Sequence, residues 1–253
     1  MNTILVRRPS PRLAEGIVTH IERSEIDLDL ARAQWAAYVA TMEKHGWKPV
    51  EVPPADHCPD GVFIEDAVVM FGRLAVLTNP GHEVRRRELE GVGQSVRDLG
   101  CRVKAIGDAG TLDGGDVLKI GSLVYVGVGG RTNEAGIERL RKLVRRRGYE
   151  VRAVPVTRVL HLKSAVTALP DGTVIGWEPV VDDPSCFASF LPMPEEQGAH
   201  VVVLDDSTLL MSAAAPRSAE LLTRRGYEVV VTDISEFEKL EGCVTCLSVR
   251  IRV

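Results

Sequence analysis

The chain has 253 residues, 45% of them apolar, which is enough to bury one sizeable core; a single domain over 1–253 is the expected organisation. A formal net charge of −4 gives no basic field, so nucleic acid and anionic membrane are set aside and a small-molecule substrate is the expected partner. No stretch approaches the roughly 20 apolar residues that span a bilayer, and the run Ile4-Leu5-Val6 is too short for a signal peptide, so a cytoplasmic location is expected.

The elements follow a repeated theme. Helices are predicted over Leu28–His45, Glu83–Leu99, Asn133–Arg147 and Pro216–Arg225, with Pro216 suited to a first turn. A helix-ending glycine followed by a β-branched run recurs at Gly46, Gly100, Gly148 and Gly226, with a weaker copy at Gly198. Arg147-Gly148-Tyr149-Glu150-Val151 and Arg225-Gly226-Tyr227-Glu228-Val229 are identical in sequence. Between these signals lie pairs of short strands: Phe63–Phe71 with Leu74–Thr78, Val117–Ile120 with Leu123–Val126, and Ala165–Leu169 with Thr173–Trp177. The pattern reads as repeated β-β-α-β units in a pseudo-symmetric array, although any α/β protein repeats helix, glycine and strand. The basic run from Arg139 to Arg147 falls near a helix carboxyl terminus, where cations complement the dipole, and reads as a solvated face.

Four segments carry candidate chemistry. Glu65 and Asp66 are adjacent acids in an apolar run read as a strand, where one carboxylate should face inward and need a partner. Leu112-Asp113-Gly114-Gly115-Asp116 sets two acids around a tight turn before a strand. His161 lies in apolar, strand-like surroundings and gains a chemical role only if a thiol and an acid reach it. The five cysteines, Cys58, Cys101, Cys186, Cys243 and Cys246, form no framework and are expected to be free thiols. Cys243-x-x-Cys246 has redox or zinc spacing but no second pair; the remaining reading is Cys246 as a nucleophile at the start of the last strand.

Together, the acidic pair, Leu-Asp-Gly-Gly-Asp, His161-Leu162-Lys163-Ser164 and Thr245-Cys246-Leu247-Ser248 resemble dimethylarginine dimethylaminohydrolases in order and approximate spacing. The resemblance implies a five-unit pseudo-symmetric α/β propeller with an axial active site, no metal and no organic cofactor. It implies Cys246 as nucleophile, His161 as general acid and base, and Asp113 as the acid orienting His161. Glu65 and Asp66 match carboxylates that grip the guanidinium, Asp60 a further substrate-contacting acid, and Arg85 and Arg131 the arginines for the substrate α-carboxylate. Two departures from mammalian members bear on substrate preference: Val18 replaces a leucine in the lid, and Glu241 replaces an aspartate. The reaction implied is release of dimethylamine from Nω,Nω-dimethyl-L-arginine to leave L-citrulline. An arginine- or agmatine-type deiminase and a non-catalytic binding protein on the same scaffold remain alternatives. Homodimerisation is admitted, but nothing in the sequence argues for it.

Overall fold

The structure, a computed structural model, describes residues 2–252. β1 (Thr3–Val6) runs parallel to β2 (Lys48–Glu51), and α1 (Leu28–Lys44) crosses between them. Asp27 caps α1 by accepting from the amides of Asp29 and Leu30, and Gly46 ends it at φ +82°, a conformation that suits glycine. β3 (Val68–Phe71) and β4 (Leu74–Leu77) form an antiparallel hairpin; β5 (Arg102–Ala105) joins β4 in parallel after α2 (Val92–Asp98). β6 (Val117–Ile120), β7 (Leu123–Gly129), α3 (Glu134–Val144) and β8 (Glu150–Val156) repeat that order.

The fourth unit departs from it. α4 (Leu162–Ala165) leads into β9 (Val166–Ala168) and β10 (Val174–Gly176), and β11 (Phe190–Pro192) follows short 3-10 turns in place of a helix. The fifth unit restores the helix, with β12 (Val201–Val203), β13 (Thr208–Ser212), α5 (Pro216–Arg224) and β14 (Glu228–Thr232). After α6 (Ser235–Glu238) the chain returns as β15 (Val249–Ile251), antiparallel to β1, so the first sheet joins the two ends of the chain and closes the ring.

The result is five three-stranded sheets in the α/β propeller arrangement expected. Buried apolar side chains among the described residues fall into five clusters packed between sheets and helices. β3, β6, β9, β12 and β15 contribute residues to an axial cavity. No helix of the described residues is long and apolar enough to cross a membrane.

Four expectations need correction. The helix expected over Glu83–Leu99 is split by Gly91 at φ +78° into a 3-10 segment, Glu83–Leu89, and α2. Gly198 is no helix terminus: it lies in a 3-10 turn and is small because a Cβ there would fall 2.0 Å from the Ser218 hydroxyl oxygen. Glu65 and Asp66 sit in a 3-10 turn, Ile64–Ala67, and the strand begins only at Val68. His161 is the N-cap of α4 and Cys246 precedes β15 in a turn, so neither lies in a strand.

Candidate active site

The Ile64–Ala67 turn is buried throughout and sends its two acids to different partners. Asp66 accepts from the Gly115 amide at 2.7 Å and from Arg85 Nη1 at 2.8 Å. Gly115 is required by close approach, since a Cβ there would lie 2.6 Å from His161 Nδ1 and 2.7 Å from an Asp66 oxygen. At Gly114 a Cβ would meet the Glu65 carbonyl at 2.0 Å. The Gly-Gly pair is therefore the surface on which the acidic turn and the histidine pack.

His161 is held between two carboxylates. Its Nε2 lies 2.9 Å from Asp113 Oδ2 and its Nδ1 3.8 Å from Asp66 Oδ1. Asp113 is fixed in turn by the Gly81 amide at 2.8 Å. Asp116 accepts from the Thr132 hydroxyl at 2.6 Å and the Leu162 amide at 2.9 Å, anchoring the first turn of α4 and hence the histidine before it. Burial pulls the His161 pKa down, but the Asp66 charge and the Asp113 hydrogen bond outweigh it and raise it to about 9. Burial pushes the Asp66 carboxyl up, yet His161 and Arg85 hold it below the ordinary carboxylate range. At neutral pH the group is an imidazolium between carboxylates. Asp66, Asp113 and His161 bring ligand atoms within 4.8 Å of one another, a spacing that would suit a cation; the protonated ring supplies that charge itself.

Cys246 is 8% exposed, and its Sγ lies 3.3 Å from Cys243 Sγ. Its carbonyl accepts from the Glu65 amide at 3.2 Å, tying the nucleophile loop to the acidic turn. The hydrogen bond with Cys243, burial and the nearby charges of Glu65 and Asp66 raise the Cys246 thiol well above the ordinary range. An incoming cation favours ionisation of this thiol.

Cys246, His161, Asp66, Asp60, Arg85, Arg131 and Glu241 line one pocket, together with apolar Ile17, Phe63, Leu160 and Leu240. Arg131 is buried, and its Nη1 has no hydrogen-bond partner. Arg85 is already committed to Glu88 through Nε and Nη2, at 2.9 and 2.8 Å, and to Asp66 through Nη1. The roof is the segment after Gly16: Asp60 accepts from the Ile17 amide at 3.1 Å, and Glu241 accepts from the Thr19 and His20 amides. Glu241 is the one non-glycine among the described residues with positive φ, at 60°, and Val18 packs against the cluster that contains Cys246. The cavity holds about 20 Å³, room for roughly one water, so the roof must open to admit an amino acid.

Val18 lies outside this lining, and so does one expected substrate-binding acid, Glu65. Its carboxylate accepts from Lys163 Nζ at 2.6 Å, Arg250 Nη2 at 2.8 Å and the Thr245 hydroxyl at 2.7 Å, and it lines the axial cavity instead. The joint grip of Glu65 and Asp66 on a guanidinium is thus not formed, because two cations have already captured the first acid. Glu88, Asp116 and Thr132 were missed as supports. Asp116 and Thr132 flank residues singled out in the sequence, whereas nothing local marks Glu88.

No family profile matches the chain. It is 63% identical over 248 residues to the N(G),N(G)-dimethylarginine dimethylaminohydrolase of Streptomyces coelicolor, covering 98% of this chain and 96% of that one. The Pseudomonas aeruginosa enzyme, solved as a cysteine-to-serine mutant complexed with citrulline, superposes with a TM-score of 0.91 at 30% identity, covering 98% of both chains. A dimethylarginine dimethylaminohydrolase solved as a histidine-to-glycine adduct with S-methyl-L-thiocitrulline gives a TM-score of 0.91 at 29% identity, covering 98% of this chain and 99% of that one.

Proposed function

The chain belongs to the dimethylarginine dimethylaminohydrolase family, and we propose that it hydrolyses Nω,Nω-dimethyl-L-arginine, and the Nω-monomethyl compound, to L-citrulline and the corresponding amine. The observation that carries this reading is His161, clamped at 2.9 Å by Asp113, in a pocket shared with Cys246 and with a buried Arg131 whose Nη1 is free. Such a donor suits a substrate carboxylate.

A guanidinium carbon is a poor electrophile until it is held and its charge is met. Asp66 and Asp60 supply negative charge on the pocket wall, and the guanidinium positive charge lowers the thiol pKa of Cys246. Cys246 Sγ releases its proton to solvent and bonds to the carbon. Collapse of the tetrahedral adduct breaks the bond to the methylated nitrogen, which takes its proton from the His161 imidazolium and leaves as dimethylamine. The neutral imidazole next removes a proton from water, whose oxygen adds to the thiouronium carbon. The hydroxyl proton of this adduct passes to sulfur as the carbon–sulfur bond breaks, which leaves the ureido group of citrulline and restores the Cys246 thiol. Asp113 and Asp116 are positioning residues, the first through the ring and the second through α4.

The reading treats residues 1–253 as one catalytic domain, since strands from all five sheets frame the axis and β15 joins β1. It places the protein in the cytoplasm. A homodimer enters no step, because every group named lies on one chain. The test is turnover of dimethylarginine, monomethylarginine, arginine and agmatine beside a Cys246→Ser control. Citrulline from the methylated substrates only is the expected result. Product from arginine or agmatine alone would transfer the same machinery to a deiminase, and no product from any substrate would reduce the protein to a binding module.

A further inference from the structure

The axis has a second cavity, of about 170 Å³, which shares no lining residue with the catalytic pocket. Lys119, Lys163, Arg250 and Arg252 line it, with Glu65 as its one acid. Glu65 is saturated: one oxygen takes both Lys163 and Arg250, and the other takes the Thr245 hydroxyl. Lys119 and Arg252 are at the solvent-reached end and have no carboxylate within ion-pair distance among the described residues. Their partners are neutral. Lys119 Nζ donates to the Met70 carbonyl and lies 5.4 Å from the centre of the Phe71 ring; Arg252 Nη2 donates to the Val203 carbonyl at 2.7 Å and lies 4.9 Å from Trp47. The cavity walls and the three other cations lower the Lys119 ammonium below the ordinary lysine range, while Asp206 pulls only weakly on Arg252.

Four cations facing one another around a recess with one spent acid repel each other, and a surplus of this kind is relieved by a bound anion. We propose that this axial cavity binds a phosphate-sized oxyanion, held by the Lys119 ammonium and the Arg252 guanidinium at the open end. An ammonium offers a point charge and a guanidinium a two-pronged donor, the combination that recognises tetrahedral oxyanions. The volume leaves space for the ion and some of its water. The proposal is independent of the reaction assigned to the other pocket.

The experiment uses the full chain and inorganic phosphate. Phosphorus NMR line broadening and calorimetric titration at fixed ionic strength should give saturable binding, retained with the catalytic pocket filled by citrulline. A Lys119→Met/Arg252→Met variant should bind at least tenfold more weakly while keeping dimethylarginine turnover. Arg131→Met should bind phosphate like the parent protein. Equal affinity in the double variant, loss of binding on adding citrulline or in Arg131→Met, or broadening no greater than matched sodium chloride explains would each overturn the assignment. If the double variant does not fold, Lys119→Gln alone must still weaken binding.

Discussion

Replacing Arg131 by methionine separates recognition of an amino-acid substrate from the chemistry on its guanidinium. Arg131 is 8% exposed; Nη1 has no partner, and Nη2 makes only a 3.4 Å contact with the Thr19 hydroxyl. Little native bonding is lost by the change, so the fold should keep its stability to within about 1 kcal/mol. A charge-assisted hydrogen bond to a carboxylate is worth roughly 1.5–3 kcal/mol, which converts to a fall of about 10- to 150-fold in kcat/KM for dimethylarginine. The descarboxy analogue, Nω,Nω-dimethylagmatine, has no group for Arg131 to bind, and its kcat/KM should stay within a factor of about two. Amine release measured over a range of both substrates gives the two ratios. Equal losses on both would refute the assignment of Arg131 to the carboxylate.

Asp113→Asn should lower kcat by roughly 10²- to 10⁴-fold and shift the descending alkaline limb of kcat/KM, expected near the His161 value of about 9, toward lower pH; a pH–rate profile of parent and variant reads both. The raised His161 pKa also has a stability consequence. Its contribution is fully present below the unfolded value of 6.5 and is lost as pH rises through about 9, an amount of about 3 kcal/mol at most that urea unfolding should show in the parent and not in His161→Gln. Glu65→Gln should destabilise the protein by roughly 3–5 kcal/mol, because it strands Lys163 and Arg250 in a largely buried setting, while KM changes less than threefold. A large KM increase at unchanged stability would return Glu65 to the substrate.

The helix-glycine-strand signature made four sheets legible, because Gly46, Gly100, Gly148 and Gly226 all adopt positive φ where a chain must leave a helix or turn and enter a strand. In the fourth sheet β9 and β10 fall within the strand pair Ala165–Leu169 and Thr173–Trp177, but β11 was hidden by its crossover, which uses 3-10 turns containing Pro179 and Pro184 and so has neither helical period nor closing glycine. Phe63 to Phe71 read as one strand because every residue is buried, which removes the polar alternation that would mark the turn at Ile64–Ala67. His161 and Cys246 were recognisable from their motifs, but the side of the axis that Glu65 faces depends on Lys163 and Arg250, which are 98 and 185 positions away, and no local pattern encodes that choice. The pairing of Cys243 with Cys246 at 3.3 Å was visible in spacing, while its effect on the nucleophile depended on burial that spacing does not report.

In the proposed reaction Cys246 itself bonds to the guanidinium carbon. Acid quenching of the protein during steady-state turnover of dimethylarginine, followed by peptide mass spectrometry, would trap that bond. The expected result is an adduct on the peptide containing Cys246, heavier by the substrate less dimethylamine and absent from Cys246→Ser. Undiminished citrulline release by that variant, or an adduct on Cys243 instead, would contradict it.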